Sequence, residues 1–339
     1  MRSARVLIVA AIASILLASC SPTTQSLASG PTITATPTLS INDALTNAAC
    51  TSTSCIALST SQFGSGEQYS ESSRTWTPLH LPATALQVSA SSCWATGCLI
   101  AGSTGTSQFL WKYSSGYVSA LQSPTSFQTI QSINCFAAST CAVIGFNPSS
   151  SSLEILYSHD AGATWTSQTT LPTALSVSGK ISLSCDEANN CLVSGSSRSG
   201  SSALLFATHD AGVTWLQRTI NTSWSTIHSL SCSALKCISA MTDSTGNSFV
   251  LRTNTYGRIW KKVSSSNSAV TAMSCANLST CVVVGTNKTS GPWLETWQNG
   301  VLVVNKLNYV TTPFNDVACL PTKCVVVGNT NVATVPFSS

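Results

Sequence analysis

Fourteen of the fifteen cysteines fall in close pairs that recur along the chain: Cys50/Cys55, Cys93/Cys98, Cys135/Cys141, Cys185/Cys191, Cys232/Cys237, Cys275/Cys281 and Cys319/Cys324. Their first members lie 43, 42, 50, 47, 43 and 44 residues apart, so seven similar units fill most of the 339 residues. A unit that short cannot bury a core of its own and has to stack on its neighbours. Independent domains on a string are thereby excluded, and a repeat architecture remains.

Each unit follows one local grammar. An apolar residue commonly stands two before the first Cys (Ile133, Leu183, Leu230, Met273, Val317). Four or five polar or small residues separate the two Cys, and a short apolar run such as Val282–Val284 follows the second. Gly stands four after the second Cys in five units: Gly102, Gly145, Gly195, Gly285 and Gly328. Apolar, partly β-branched runs flanking a tight polar loop predict a β-hairpin, and an all-apolar second strand suits burial on both faces. Third strands are expected at Leu153–Tyr157, Leu204–Ala207 and Phe249–Arg252, each followed by a turn and a fourth strand beginning at Trp. Four short strands repeated seven times predict an all-β fold, a seven-bladed β-propeller over residues 41–339. The last unit ends after three strands, and Pro31–Leu39 can supply the missing outer one, closing the ring.

Two turns are nearly identical: Ser158-His-Asp160-Ala-Gly162-Ala-Thr164-Trp165 and Thr208-His-Asp210-Ala-Gly212-Val-Thr214-Trp215. They resemble the Asp-box of the BNR-type, sialidase-superfamily propellers. In such a turn the carboxylate can accept amide hydrogens, Gly can take positive φ, and Trp can pack between sheets. Weaker versions run Tyr69–Trp76 and Thr253–Trp260, where Glu71 and Thr255 replace the Asp. The resemblance implies the fold and one structural role for these residues; it does not single out an activity.

Structural disulfides, zinc and redox catalysis compete for the cysteine pairs. Seven evenly spread Cys-x4-Cys or Cys-x5-Cys pairs cannot converge on zinc, and a Cys-x-x-Cys active site is absent. An even number in a secreted chain favours one disulfide within each unit. Closing so short a loop contributes ~2 kcal/mol per bridge, enough to pin a hairpin rather than hold a ring together.

Residues 1–19 read as an export signal, with Arg2 and Arg5 followed by the apolar run Val6–Ala18. Thirteen residues make a helix of only about 20 Å, too short to cross a bilayer. The run ends Leu17-Ala18-Ser19-Cys20, which resembles the bacterial lipobox and implies cleavage before an acylated Cys20. Residues 20–40 then form an uncharged Ser/Thr/Pro-rich tether, and the chain is expected outside the cytoplasm, held to the cell envelope through its N-terminal lipid. Only 8% of residues are charged, and 60 Ser and 43 Thr supply the polar surface. No Lys/Arg run exceeds Lys261–Lys262, so no basic stripe announces a nucleic-acid partner.

The residues favour a binding or scaffold protein, probing a glycan, peptide or protein as a monomer, over an enzyme. Sialidases use a Tyr–Glu pair, an Asp and three Arg with an Arg-Ile-Pro motif; the nearest string here, Arg258-Ile259-Trp260, falls inside a turn. A sialidase-like or other glycan hydrolase is the alternative. No Gly-x-Ser-x-Gly elbow, metal motif or nucleotide motif occurs, so neither cofactor nor metal is expected. The same superfamily includes photosystem II assembly-factor propellers, which carry an arginine-rich face that this sequence does not display. Loops opposite the Cys hairpins are rich in Ser, Thr and Asn, and Trp224, His228, Trp293 and Tyr309 among them are candidate ligand contacts. The competing reading places such aromatics in the blade-to-blade core.

Overall fold

The computed structural model describes residues 34–35 and 44–337, except 60–65, 83–86, 105–106, 177–178, 187–189, 201, 267, 288, 290, 299–300, 305–311 and 330–331. Its strands form seven antiparallel sheets of four. Blade 3 shows how sequence becomes sheet: Thr129–Cys135, Cys141–Asn147, Ser152–Ser158 and Thr166–Thr170 lie side by side in that order. Cys141–Ile144 is wholly buried because sheets pack on both of its faces, which is why that strand is apolar without alternation. The inner strands of successive blades pack against one another, and Leu45–Cys50 against Phe314–Cys319 completes the circle. The last sheet holds Phe314–Cys319, Lys323–Gly328 and Val332–Pro336, with Thr34–Ala35 as its outer strand.

Paired cysteines stand directly opposite each other in every inner hairpin, as Cys135 does to Cys141. All seven pairs are disulfides within a blade: Cys50–Cys55, Cys93–Cys98, Cys135–Cys141, Cys185–Cys191, Cys232–Cys237, Cys275–Cys281 and Cys319–Cys324. Their Cα–Cα separations are 3.9–4.1 Å. The second members, Cys55, Cys98, Cys141, Cys191, Cys237, Cys281 and Cys324, are fully buried. Cys50, Cys93, Cys232, Cys275 and Cys319 keep some solvent contact.

Seven apolar clusters fill the seams, one between each pair of neighbouring blades. Trp76, Trp165, Trp215 and Trp260, each opening or just preceding an outer strand, pack against the blade before their own. The recurring glycine has a steric reason. A Cβ on Gly285 would lie 1.9 Å from the Ala269 carbonyl oxygen, and one on Gly102 would lie 2.0 Å from that of Gln87. At Gly145 the intruder is the Phe127 ring, 2.2 Å away.

The inner strand in six of the seven blades carries a register shift close to its start, at Thr46, Ser89, Gln131, His228, Thr271 and Asn315. Bulges of this kind bend a strand and re-aim one side chain. Three of those side chains bridge to the next blade, each donating to the carbonyl just before the next bulge: Ser89 to Ile130, Thr271 to Phe314 and Asn315 to Leu45. A second set of bridges lies deeper. Ser182, Ser229 and Asp316, each three before its first Cys, accept from the amides of Leu230, Met273 and Ala48. Serine's abundance on the inner strands thus has a use: short hydroxyls satisfy backbone across the seams.

Candidate functional site

The turns that resemble Asp-boxes are self-contained. Asp160 Oδ1 accepts the Thr164 amide at 2.8 Å, Oδ2 accepts the Thr164 hydroxyl, and Ser158 Oγ donates to Oδ1 while accepting the Gly162 amide. Asp210 repeats this with Thr214 and Thr208. These bonds hold both exposed carboxyls down at about 2, the Thr164 hydroxyl contributing most at Asp160 and the Thr208 hydroxyl at Asp210. Gly162 has φ +89° and lies over Leu99 of the preceding blade, and Gly212 has φ +87°. Where Thr255 replaces the Asp, its hydroxyl accepts the Ile259 amide at 3.0 Å, so the turn survives without a charge. The Asp160 and Asp210 carboxylates and the Ser158 and Thr208 hydroxyls are thus spent on the turn itself. His209, in the variable position, is engaged as well: Nδ1 pairs with Asn190 Oδ1 and Nε2 with Arg218.

The sequence candidates on the opposite side divide differently. Trp293 is only 7% exposed and belongs to the core between blades 5 and 6, and half-buried Trp224 packs between blades 4 and 5. Both indoles therefore serve packing, because the blades need bulky side chains where the sheets splay apart. Tyr309 and Cys20 lie outside the described residues. His228 is half-buried, and its Nε2 pairs with Thr242 Oγ1 at 2.7 Å. Burial, with Lys180 nearby, pushes its pKa down to about 4, so the ring is neutral at ordinary pH. Lys180 is exposed to solvent although neighbouring strands crowd it. Its Nζ donates to the Thr271 carbonyl at 3.3 Å, two blades away. Burial lowers the Lys180 pKa and the Asp316 charge works against that, while burial raises Asp316 to about 6. Lys180 and Asp316 were not evident from the sequence. Aligning the repeats on their first Cys was the signal that could have found Asp316.

Cavities open on the disulfide side. One of about 410 Å³ is walled by Cys50, Cys93, Cys135 and Cys319 with Trp94, Phe136 and Pro321, drawing on five blades. A second, about 530 Å³, lies along Cys135, Cys185 and Cys232. The third, about 660 Å³, is a groove between blades 5 and 6 beside Cys232 and Cys275. The first Cys of every blade borders at least one of them. The disulfides form a collar, and these spaces lie within and beside it. Their volumes fall in the range of ligand sites.

The first members of the bridges border these spaces, whereas the second members mostly do not. Among the second members, Cys237 reaches the groove between blades 5 and 6, whereas Cys55, Cys98, Cys141, Cys191, Cys281 and Cys324 border none of the three spaces. Each of those six sits inside an apolar seam cluster. The reason is the strand that carries them, which neighbouring sheets cover on both faces. Cys55, Cys98, Cys141, Cys191, Cys281 and Cys324 therefore pack the seams as well as bridging.

No protein-family model and no curated protein sequence matches the chain. Its likeness to solved structures shows the fold. A structure described as YCF48 bound to D1 peptide is similar at TM-score 0.65 and 12% identity, over 94% of this chain and all of that one. The GH74 enzyme of Niastella koreensis is similar at TM-score 0.64 and 13% identity, over 91% of this chain. This chain spans 53% of that enzyme's length. A third, PorZ, a surface component of the type-IX secretion system of Porphyromonas gingivalis, is similar at TM-score 0.59 and 12% identity over 87% of this chain and 37% of its own.

Proposed function

We propose that this chain is a binding or scaffold propeller of the bacterial cell envelope, anchored through an acylated Cys20 and recognising a peptide or glycan, alone or as part of a protein partner. The observation that carries the reading is the collar: seven disulfide-pinned hairpins, each bordering at least one of the cavities of about 410 to 660 Å³ on one side of the ring. Hairpins fixed in this way form a preorganised rim, which lowers the ordering cost of binding. So many disulfides suit an oxidising compartment. The Asp-box-like turns fit this reading as framework, because their carboxylates are consumed locally. Residues 20–40 would act as the tether that lets the ring reach away from the membrane.

Two measurements test it. Wild-type protein should partition into the detergent phase, and Cys20→Ala should move to the aqueous phase or persist as precursor; unchanged partitioning overturns the anchor. Soluble protein from residue 31 onward should bind members of a peptide and glycan array without altering them. Cleavage of xyloglucan or a sialoside by that protein overturns the binding role in favour of a hydrolase.

A further inference from the structure

The groove between blades 5 and 6 is lined by the basic Lys236 and Arg252 and by no acidic residue. Six of the chain's fifteen basic side chains lie between residues 218 and 262, and Asp243 is the sole acidic residue there. Blade 5 consists of Trp224–Ser233, Lys236–Asp243, Ser248–Thr253 and Lys261–Ser266. Arg252 pairs across the sheet with Ile238 on one side and Lys261 on the other, so these three side chains share the face turned toward blade 6. Lys236 and Asp243 begin and end one strand, which puts the carboxylate about 16 Å along the strand from Ile238, the nearest residue of the groove on it. No run of basic residues announced this patch, because strand pairing, not adjacency in the chain, assembles it.

The groove's walls suit a particular occupant. Arg252 and Lys236 border it, partly exposed Leu278 gives it an apolar floor over the buried Ile238, and Ser233 and Ser279 add hydroxyls. None of its lining residues is acidic and none is aromatic. The Lys323–Glu71 contact is the ion pair found among the described residues, and it lies elsewhere. Arg252 therefore has its guanidinium donors available, in the planar fork that matches a carboxylate. A sugar would ask for an aromatic platform, which the groove lacks. A short extended peptide instead fits the apolar floor with one face and the cations with its acidic side chains.

We propose that this groove binds an acidic peptide segment of a partner, Arg252 gripping a carboxylate while Lys236 and Lys261 supply the surrounding positive field. This rests on the binding-protein reading and assigns it a site and a ligand class.

The test uses the soluble protein from residue 31 onward and three acetylated octapeptides alternating Leu with Glu, Gln or Lys. The Glu peptide should bind at least 10-fold more tightly than the Gln peptide, the Lys peptide should not bind, and affinity should fall with added salt. Arg252→Gln should weaken the Glu peptide at least 10-fold, and Arg252→Lys should recover only part of that loss. Ser279→Trp, which fills the groove without changing charge, should also abolish binding. All variants should melt with the wild type, since these side chains are at the surface. Equal affinity for Glu and Gln peptides, or an Arg252→Gln variant that binds as well as wild type, overturns the proposal. Tighter binding of polygalacturonate than of the Glu peptide likewise overturns it and redirects the site to acidic glycans. Array ligands that still bind Arg252→Gln refute this groove while leaving the binding-protein reading standing.

Discussion

The Asp316 carboxylate accepts the Ala48 amide at 2.9 Å, across the seam where the last blade meets the first. The same inner-strand position holds Ser182 and Ser229 at the two seams around blade 5, where a hydroxyl does the same work. The chain has thus put a charge where the repeat elsewhere uses a neutral acceptor. Lys180, reaching over from blade 4, partly offsets it.

That placement has a pH signature. Burial raises the Asp316 pKa to about 6, above the roughly 3.9 of an exposed Asp, so the folded chain holds the proton more tightly than the unfolded one. Between those values the stability owed to Asp316 grows as pH falls, and buried Glu295, raised to about 7, acts in the same direction. His228 opposes them: lowered to about 4, it contributes stability above the unfolded pKa of about 6.5 that is lost as pH falls toward 4. Asp316→Asn keeps an acceptor oxygen and removes the charge. It should stabilise the domain at pH 7.5 by up to about 3 kcal/mol and leave it unchanged at pH 4. Thermal melts at the two pH values check this, and a less stable Asn variant at pH 7.5 would refute it.

The recurring glycines separate two kinds of constraint. Gly285 has ordinary backbone torsions, but an added Cβ would meet the Ala269 carbonyl at 1.9 Å, so Gly285→Ala must push two strands of one sheet apart. Gly200 has φ +72° and open space around it, so Gly200→Ala meets only the backbone penalty of about 1 kcal/mol. Gly285→Ala should cost about 3 kcal/mol or fail to fold. Denaturant unfolding of both variants decides the order; equal losses would mean the inner hairpin yields more easily than its geometry implies.

Much of this fold was legible because disulfides leave a spacing in the sequence. Cys pairs give the unit, Gly145 and its equivalents mark close packing at the inner strand, and Trp165 and Trp215 mark the outer strand. The seams were not legible. Ser182 and Ser229 are two among 60 Ser, and nothing local distinguishes a hydroxyl that satisfies a neighbouring blade. Trp224 and Trp293 looked like ligand contacts because they flank polar loops, yet which way an indole turns depends on the next blade. The groove cations were hidden for the same reason, since Lys236, Arg252 and Lys261 meet only through pairing.

Each disulfide should stabilise its own hairpin and little else. The bridges close loops with sequence separations of 5 or 6, which corresponds to ~2 kcal/mol and about a 4 °C fall in Tm for each one removed. Cys191 and Cys281 are fully buried, as are Cys55, Cys98 and Cys324, so Ala is the apt replacement there, since Ser would bury an unpaired hydroxyl. Cys185→Ala/Cys191→Ala and Cys275→Ser/Cys281→Ala should each lose about that much, and their losses should add because a whole blade stands between them. A combined loss well beyond the sum, read from urea melts, would show that the collar acts as one unit.

Ring closure uses two devices that deletions can separate. At the outer edge Thr34 pairs with Thr334 and Ala35 with Ala333, covering the backbone of Val332–Pro336. Near the axis Asp316 and Asn315 reach Ala48 and Leu45, and an apolar cluster including Leu45, Tyr69, Val325 and Val327 joins the first and last blades. The inner device is the larger, because it buries apolar side chains as well as satisfying backbone. Removing residues 31–39 should therefore leave a folded ring with a lower melting temperature and an uncovered strand edge. Such an edge is a template for another chain, so this truncation should also dimerise or aggregate as concentration rises. Removing residues 21–30 should change neither property, since that stretch lies before the pairing strand. Thermal melts with light scattering across a concentration series distinguish the two truncations. Identical melting temperatures and masses would mean that the axial contacts close the ring unaided and that the Thr34–Ala35 strand is dispensable.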